Sequence, residues 1–190
     1  MSWGLLLVAW ASAQNPNAFW GARTSIAVNS CTSIQSALVK TETRDACNRL
    51  RRALYLVDNY QEELNAEFAN SIWLKVYFQN RAFYDTRLRR RVKACDQHRI
   101  DYKCVGLCAT ASERVAYVLT TLGFVHSTIN LCDEHFQSSP PFRLTTLIHE
   151  FGRLEGIGDS GAWDTDDIHV WDGIFSTLGD PSTYQHLVRP

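Results

Sequence analysis

Apolar residues recur at helical spacing through the first half of the chain. From Thr43 onward they return every three or four positions, and Arg, Asn, Gln and Glu fill the gaps. This pattern predicts one long amphipathic helix, or two in succession. An aromatic-rich segment over residues 72–78 is expected in the core, and a basic helix is predicted over about residues 82–95. The apolar positions of the first pattern are Ala46, Leu50, Leu54, Val57, Leu64 and Phe68.

The middle of the chain changes to an extended pattern. Residues 100–104, 115–119 and 128–132 are short, rich in β-branched or aromatic residues and separated by turn residues, which predicts three strands. We therefore expect a single α+β domain that is mainly helical and carries a small sheet.

The last quarter is predicted to be helical again. Ser138-Ser139-Pro140-Pro141 interrupts the chain, and a helix is expected to begin near residues 142–145. Three glycines, which favour sharp turns, are expected to end it. These glycines are Gly156, Gly158 and Gly161, and a further helix is marked by Val170, Trp171, Ile174 and Leu178.

The N-terminus is typical of a secretory signal. Residues 5–10 form a short apolar segment, and Ala11-Ser12-Ala13 fits the small-x-small pattern of a cleavage site. We therefore assign residues 1–13 to a signal peptide, 14–42 to an N-terminal tail and 43–190 to the domain. A buried N-terminal segment is the alternative interpretation. No later stretch reaches the ~20 apolar residues that a membrane span requires.

The charge balance excludes partners that need a strong field. With a net charge of −1, the chain has no global attraction for nucleic acid or for an anionic membrane. The one basic run, residues 87–93, fits a helix with Leu88 and Val92 turned inward and a solvated basic side. The chain is expected to be a monomer.

Six cysteines behind a signal sequence favour disulfides, although six cysteines allow 15 pairings. Cys104 and Cys108 have the spacing of a metal knuckle, but no second pair at matching spacing follows. The full set is Cys31, Cys47, Cys95, Cys104, Cys108 and Cys132.

The segment around His149 and Glu150 carries the candidate chemistry. Zinc peptidases place His-Glu-x-x-His on a helix, so that two imidazoles one turn apart hold the metal and the Glu activates its bound water. Here the fifth position is Arg153. Arginine offers only donors and stays protonated, so it cannot ligate a cation.

Further ligand types follow within 20 residues of His149. A carboxylate or an imidazole from this segment could return to the helix as another zinc ligand. A solvated acidic loop is the competing interpretation. The candidates are Asp159, Asp164, Asp166, Asp167 and His169, of which Asp159 has the spacing of the last ligand in a metzincin-type pattern.

From about Cys47 to its C-terminus, the chain resembles the deuterolysin-type zinc peptidases. Among these it is most similar to the lysine-specific metallo-endopeptidases of fungi. The order of the matching segments, rather than any one of them, carries the resemblance. They are Tyr77-Phe78, the tyrosine-preceded cysteines of residues 102–108, Ala116-Tyr117-Val118, residues 129–136, Thr145-Thr146-Leu147-Ile148-His149-Glu150, Thr165-Asp166-Asp167 and residues 180–187.

The resemblance implies a secreted, zincin-like metalloendopeptidase with a protein or peptide as its substrate or partner. In it, Glu150 is the catalytic base and His149 and Asp167 are zinc ligands. The sequence departs from the family at three places. Arg153 replaces a zinc-binding His, Asp164 replaces a Gly, and the oxyanion-stabilising Tyr would fall at Val170 or Trp171.

Three outcomes are open at this stage. In the first, Arg153 takes the place of the metal by pairing with Glu150 or Asp167, which would leave an inactive protein that binds a partner through the former cleft. In the second, Arg153 turns outward, and His169, Asp159 or Asp164 completes a rebuilt zinc site. In the third, Arg153 is a surface residue and the resemblance fails.

Overall fold

The computed structural model describes residues 25–96, 99–108, 115–121 and 124–157, together with Gly173. Within this part, four strands form one mixed sheet in the order β1-β2-β4-β3. Strand β2 runs parallel to both of its neighbours, β1 and β4, whereas β3 pairs with β4 in the antiparallel direction. The strands are β1 (Ser25–Asn29), β2 (Arg99–Cys104), β3 (Ala116–Thr121) and β4 (Phe124–Leu131).

Helices make up most of the described residues, so the mainly helical α+β architecture with a small sheet is confirmed. The long helical pattern becomes two helices, α1 and α2, and the aromatic and basic segments become α3 and α4. The helices are α1 (Ser33–Asn59), α2 (Gln61–Glu67), α3 (Ile72–Gln79), α4 (Arg81–Asp96), α5 (Asp133–Gln137) and α6 (Pro140–Leu154).

The folded unit begins earlier than the sequence predicts. Helix α1 starts at Ser33, where the Thr32 hydroxyl accepts from the Gln35 N–H and the Gln35 side chain accepts from the Thr32 N–H. This capping box satisfies two N–H groups that a helix start leaves without partners. Strand β1 also pairs with β2 along its whole length. Residues 25–42 therefore belong to the domain and not to the predicted tail, while residues 1–24 lie outside the described part.

One core joins the sheet to the long helices. Helix α6 packs against α1, α4 and the β3–β4 pair, so the segment that carries His149 lies at the centre of the domain. Most of the predicted apolar positions are fully buried, although Leu54 and Phe68 are only partly buried. Fully buried members of this core include Ala46, Leu50, Val57, Leu64, Ile129 and Phe151.

The six cysteines form three disulfides, as expected for an oxidising compartment. Cys31–Cys104 joins the ends of β1 and β2, Cys47–Cys95 joins α1 to α4, and Cys108–Cys132 fixes the loop after β2 to the start of α5. None of these cysteines is available as a metal ligand, so the metal-knuckle alternative at Cys104 and Cys108 is wrong.

Helix α4 confirms only part of the predicted basic surface. Leu88 and Val92 face the core, but Arg91 is 1% exposed, and its Nε donates to the Ile148 carbonyl of α6 at 3.1 Å. Gly152 makes room for this guanidinium, since a Cβ there would lie 3.2 Å from the Arg91 Cζ. A larger residue at position 152 would therefore require the Arg91 or Ile157 side chain to shift by a few tenths of an ångström.

Beyond residue 157, the structure describes Gly173, which is buried against Trp73 of α3. A Cβ at this position would overlap the indole ring, so any larger residue would displace one of the two. The helix predicted around Val170 and Trp171 lies outside the described residues. Among the helices that the structure describes, none combines the length and apolar character needed to span a membrane.

Candidate functional site

Helix α6 positions the candidate site, and both of its ends are well defined. The prolines predicted to interrupt the chain instead occupy the first turn, where the missing N–H of proline costs no helical hydrogen bond. At the other end, Gly156 has φ +74°, the Ile157 N–H donates to Gly152 O at 2.9 Å, and the Gly156 N–H donates to Arg153 O at 3.0 Å. This Schellman cap confirms Gly156 as a helix-ending glycine. Gly158 and Gly161 lie outside the described residues.

His149, Glu150 and Arg153 meet on one side of this helix. The Arg153 Nε donates a hydrogen bond to the His149 Nε2 at 2.9 Å, and the same Nε lies 3.9 Å from the Glu150 Oε2. The Glu150 side chain is 4% exposed and the Arg153 side chain is 25% exposed. Residues three and four apart on a helix are neighbours, so the spacing of these side chains leads directly to the contact.

The hydrogen bond determines what His149 can do. An imidazole nitrogen that accepts a hydrogen bond carries no proton, so the Nε2 of His149 is unprotonated in this arrangement. The Nε2 lone pair is directed at a guanidinium N–H and is not available for a metal. At about 4 Å in an effective dielectric of about 20, two unit charges interact by ~4 kcal/mol, so a cation placed here would be opposed by Arg153.

These three residues do not fit a zinc ion. A catalytic zinc needs three protein ligands and an open position for water. Of the described residues here, His149 has its Nε2 committed to Arg153, and Arg153 is itself a cation. Throughout the parts of the chain that the structure describes, no three His, Cys, Asp or Glu side chains are grouped so as to hold a metal. The other predicted ligands, Asp159, Asp164, Asp167 and His169, lie outside those parts.

A second buried polar cluster was not predicted from the sequence. The Glu42 carboxylate of α1 accepts from Arg143 of α6, with Nε and Nη2 both 2.7 Å from Oε1. His135 of α5 is fully buried, with its Nε2 3.8 Å from the Glu42 Oε2. Arg143 also donates to the Ser138 carbonyl at 2.5 Å, so the cluster ties the corner between α5 and α6 to α1. Glu42 and Arg143 are 101 positions apart, and no local pattern connects them.

Two tyrosines extend the buried polar interior. Burial is the main cause that raises the pKa of the Tyr102 phenol, which is hydrogen-bonded to Thr43 at 2.8 Å. Burial also raises the pKa of Tyr77, whose hydroxyl donates to Asp85. Neither phenol contacts His149, Glu150 or Arg153 through a described hydrogen bond. The oxyanion-stabilising positions predicted at Val170 or Trp171 lie outside the described residues.

Comparison with known proteins identifies no family for this chain. No protein-family model matches the sequence. No curated protein sequence matches it either.

Proposed function

We propose that this chain is a secreted, catalytically silent counterpart of a zinc metalloendopeptidase, which binds a protein or peptide partner instead of cleaving one. The observation that carries the proposal is the 2.9 Å hydrogen bond from Arg153 Nε to His149 Nε2. It favours the outcome in which the arginine takes the place of the metal.

The proposal follows from the requirements of peptide hydrolysis. A zinc peptidase must lower the pKa of a bound water to about 7 and then remove a proton from it. Glu150 has the residue type and position of the base in the zincin pattern, but the described part contains no group of three His, Cys, Asp or Glu side chains that could hold a metal with such a water. A base without an activated water has no nucleophile to generate, so we propose binding rather than cleavage as the activity of this site.

The three disulfides and the signal-like residues 1–13 support secretion. Disulfides persist in oxidising compartments, and these three close loops of 73, 48 and 24 residues. Cross-links of this size restrict the unfolded chain and typically stabilise a domain by about 2–4 kcal/mol each. A domain stabilised by disulfides in this way is consistent with a secreted binding protein.

A cleavage assay tests the proposal. The purified, oxidised chain is incubated with unfolded casein in the presence of zinc, and in parallel with the chelator 1,10-phenanthroline. We expect no fragments under either condition. Cleavage that requires zinc and is abolished by the chelator would contradict the proposal and favour a rebuilt site completed by His169, Asp159 or Asp164. The variant Glu150→Gln would then show whether such cleavage depends on the predicted base.

A further inference from the structure

The charges around Glu150 suggest what Arg153 contributes to the folded protein. The Glu150 side chain is 4% exposed, and burying a carboxylate is costly unless a cation or hydrogen-bond donors lie close to it. Arg153 brings a permanent positive charge to within 3.9 Å of one carboxylate oxygen while its Nε is held by His149. The guanidinium thus contacts the same two side chains that a zincin uses around its metal.

We infer that His149 and Glu150 form a cation-binding pocket whose occupant is the guanidinium of Arg153, a resident cation supplied by the chain itself. This inference rests on the proposed function, because a protein with zinc at His149 could not have the guanidinium there. The ligand class is a small planar cation that donates an N–H to an imidazole nitrogen while its charge lies close to a carboxylate. A guanidinium ion has this shape, whereas an alkylammonium ion lacks the planar arrangement.

The pocket should remain when the side chain is removed. Arg153 belongs to the last turn of α6, and its backbone is fixed by the hydrogen bond that its carbonyl accepts from Gly156. The substitution Arg153→Ala removes the guanidinium and most of its aliphatic chain. Since a quarter of the arginine side chain is exposed, the space that it leaves opens to solvent and admits a small ion.

Chemical rescue tests the inference. Thermal unfolding of Arg153→Ala is followed with millimolar guanidinium chloride, far below denaturing concentrations, and with equal concentrations of ethylammonium chloride. A ligand that binds only the folded state raises the midpoint. We expect guanidinium to raise the midpoint of Arg153→Ala by about 2 °C or more, ethylammonium to have a smaller effect, and the wild type to show no increase.

Two control variants separate pocket binding from general salt effects. Arg90→Ala removes an exposed arginine of α4, and guanidinium should not stabilise it. Arg153→Ala combined with Glu150→Gln removes the carboxylate, and the rescue should disappear. Rescue that is equal in Arg90→Ala, or that persists without the Glu150 carboxylate, would overturn the inference, as would no rescue in a folded Arg153→Ala protein.

If Arg153→Ala fails to fold, a second series of variants at position 153 tests the same inference. Arg153→Lys keeps the positive charge and Arg153→Gln removes it at similar length. The inference predicts the stability order Arg, then Lys, then Gln. A Gln variant as stable as the Lys variant would overturn it. If the rescue fails or the stability order differs while the wild type neither holds zinc nor cleaves casein, the proposed function stands. In that case only the inference about Arg153 as a resident cation is wrong.

Discussion

Arg153 donates its Nε hydrogen to the Nε2 of His149 at 2.9 Å, one turn earlier on the same helix. This contact uses the lone pair that would bind zinc in a His-Glu-x-x-His helix. An arginine at the fifth position of such a pattern therefore supplies no metal ligand and also engages the histidine at the first position. The Nε of the same guanidinium lies 3.9 Å from the Glu150 Oε2, so Arg153 lies close to both the histidine and the glutamate of the motif.

Replacing Arg153 with histidine should create metal affinity. Arg153→His places two imidazoles at i and i+4 on one face of α6, as a zinc-binding helix requires. We expect zinc affinity to rise at least about tenfold over the wild type, a change of about 1.4 kcal/mol, as measured by isothermal titration calorimetry.

Two variants control for zinc binding by an added histidine alone. Arg90→His introduces an imidazole on the exposed side of α4 and should gain no affinity. Arg153→His combined with His149→Ala should lose the gain. If Arg153→His binds zinc no better than Arg90→His, the arrangement proposed for the metal position is incorrect.

Gly156 should be essential to the end of α6. Its φ of +74° lies in the left-handed region, which is strained for residues with a Cβ, although asparagine adopts it more readily. We expect Gly156→Ala to lower the free energy of unfolding by about 1 kcal/mol and Gly156→Asn to lower it less. Urea denaturation measures both. Equal losses, or no loss in the alanine variant, would show that the Schellman cap contributes little.

The Glu42–Arg143 pair should behave as a buried ion pair. Both side chains are 11% exposed, and removing one partner leaves a charge without compensation. Arg143→Met should therefore lower the free energy of unfolding by about 3 kcal/mol, while Arg143→Met combined with Glu42→Met should recover much of that loss.

The exposed pair formed by Arg89 and Asp58 provides the comparison for this cycle, since Arg89 is 53% exposed. Arg89→Met should cost no more than about 1 kcal/mol in the same denaturation experiment. If the double variant loses as much free energy of unfolding as Arg143→Met and Glu42→Met lose together, the two residues do not stabilise one another.

Tyr102 should make the protein sensitive to high pH. Burial raises its pKa above the ordinary value of 10.0, with a smaller contribution from Glu42, while the Thr43 hydrogen bond lowers it. The unfolded chain therefore loses the phenol proton before the folded chain does. The resulting stability is complete below pH 10.0 and declines as the pH rises above that value.

Urea denaturation at about pH 8 and about pH 10.5 measures this effect. Tyr102→Phe should cost about 1 kcal/mol at the lower pH, because the bond to Thr43 is lost, and should lose less stability than the wild type at the higher pH. The raised pKa of Tyr77 acts in the same direction, so part of the decline should remain. An unchanged decline in Tyr102→Phe would contradict the account of this phenol.

Much of the fold could be predicted because its patterns are local. Helical spacing located α2, α4 and most of α1, and β-branched or aromatic runs located β2, β3 and β4. The segment that forms α3 was expected in the core, but its helical conformation was not predicted. Strand β1 was missed because Ser25–Asn29 is short and is identified mainly by its pairing with β2. Helix α5 was missed for a similar reason, since five residues carry too little periodicity.

Features that depend on tertiary contacts could not be predicted. The disulfide pairing required knowing which strand and helix ends meet. The burial of Arg91 depends on Ile148 and Gly152, which are more than 50 positions away. For the site, helical spacing predicts that Arg153 lies close to Glu150. The hydrogen bond to His149 was not predicted, because a histidine in this pattern indicates a metal ligand rather than a hydrogen-bond acceptor.

The central claim is that the guanidinium of Arg153 occupies the position of the metal. Native mass spectrometry of the wild-type chain, purified with zinc present and then exchanged into zinc-free volatile buffer, measures this directly. The account predicts the mass of the metal-free chain with its three disulfides. One zinc ion retained per chain, and lost when His149 is replaced by alanine, would contradict it.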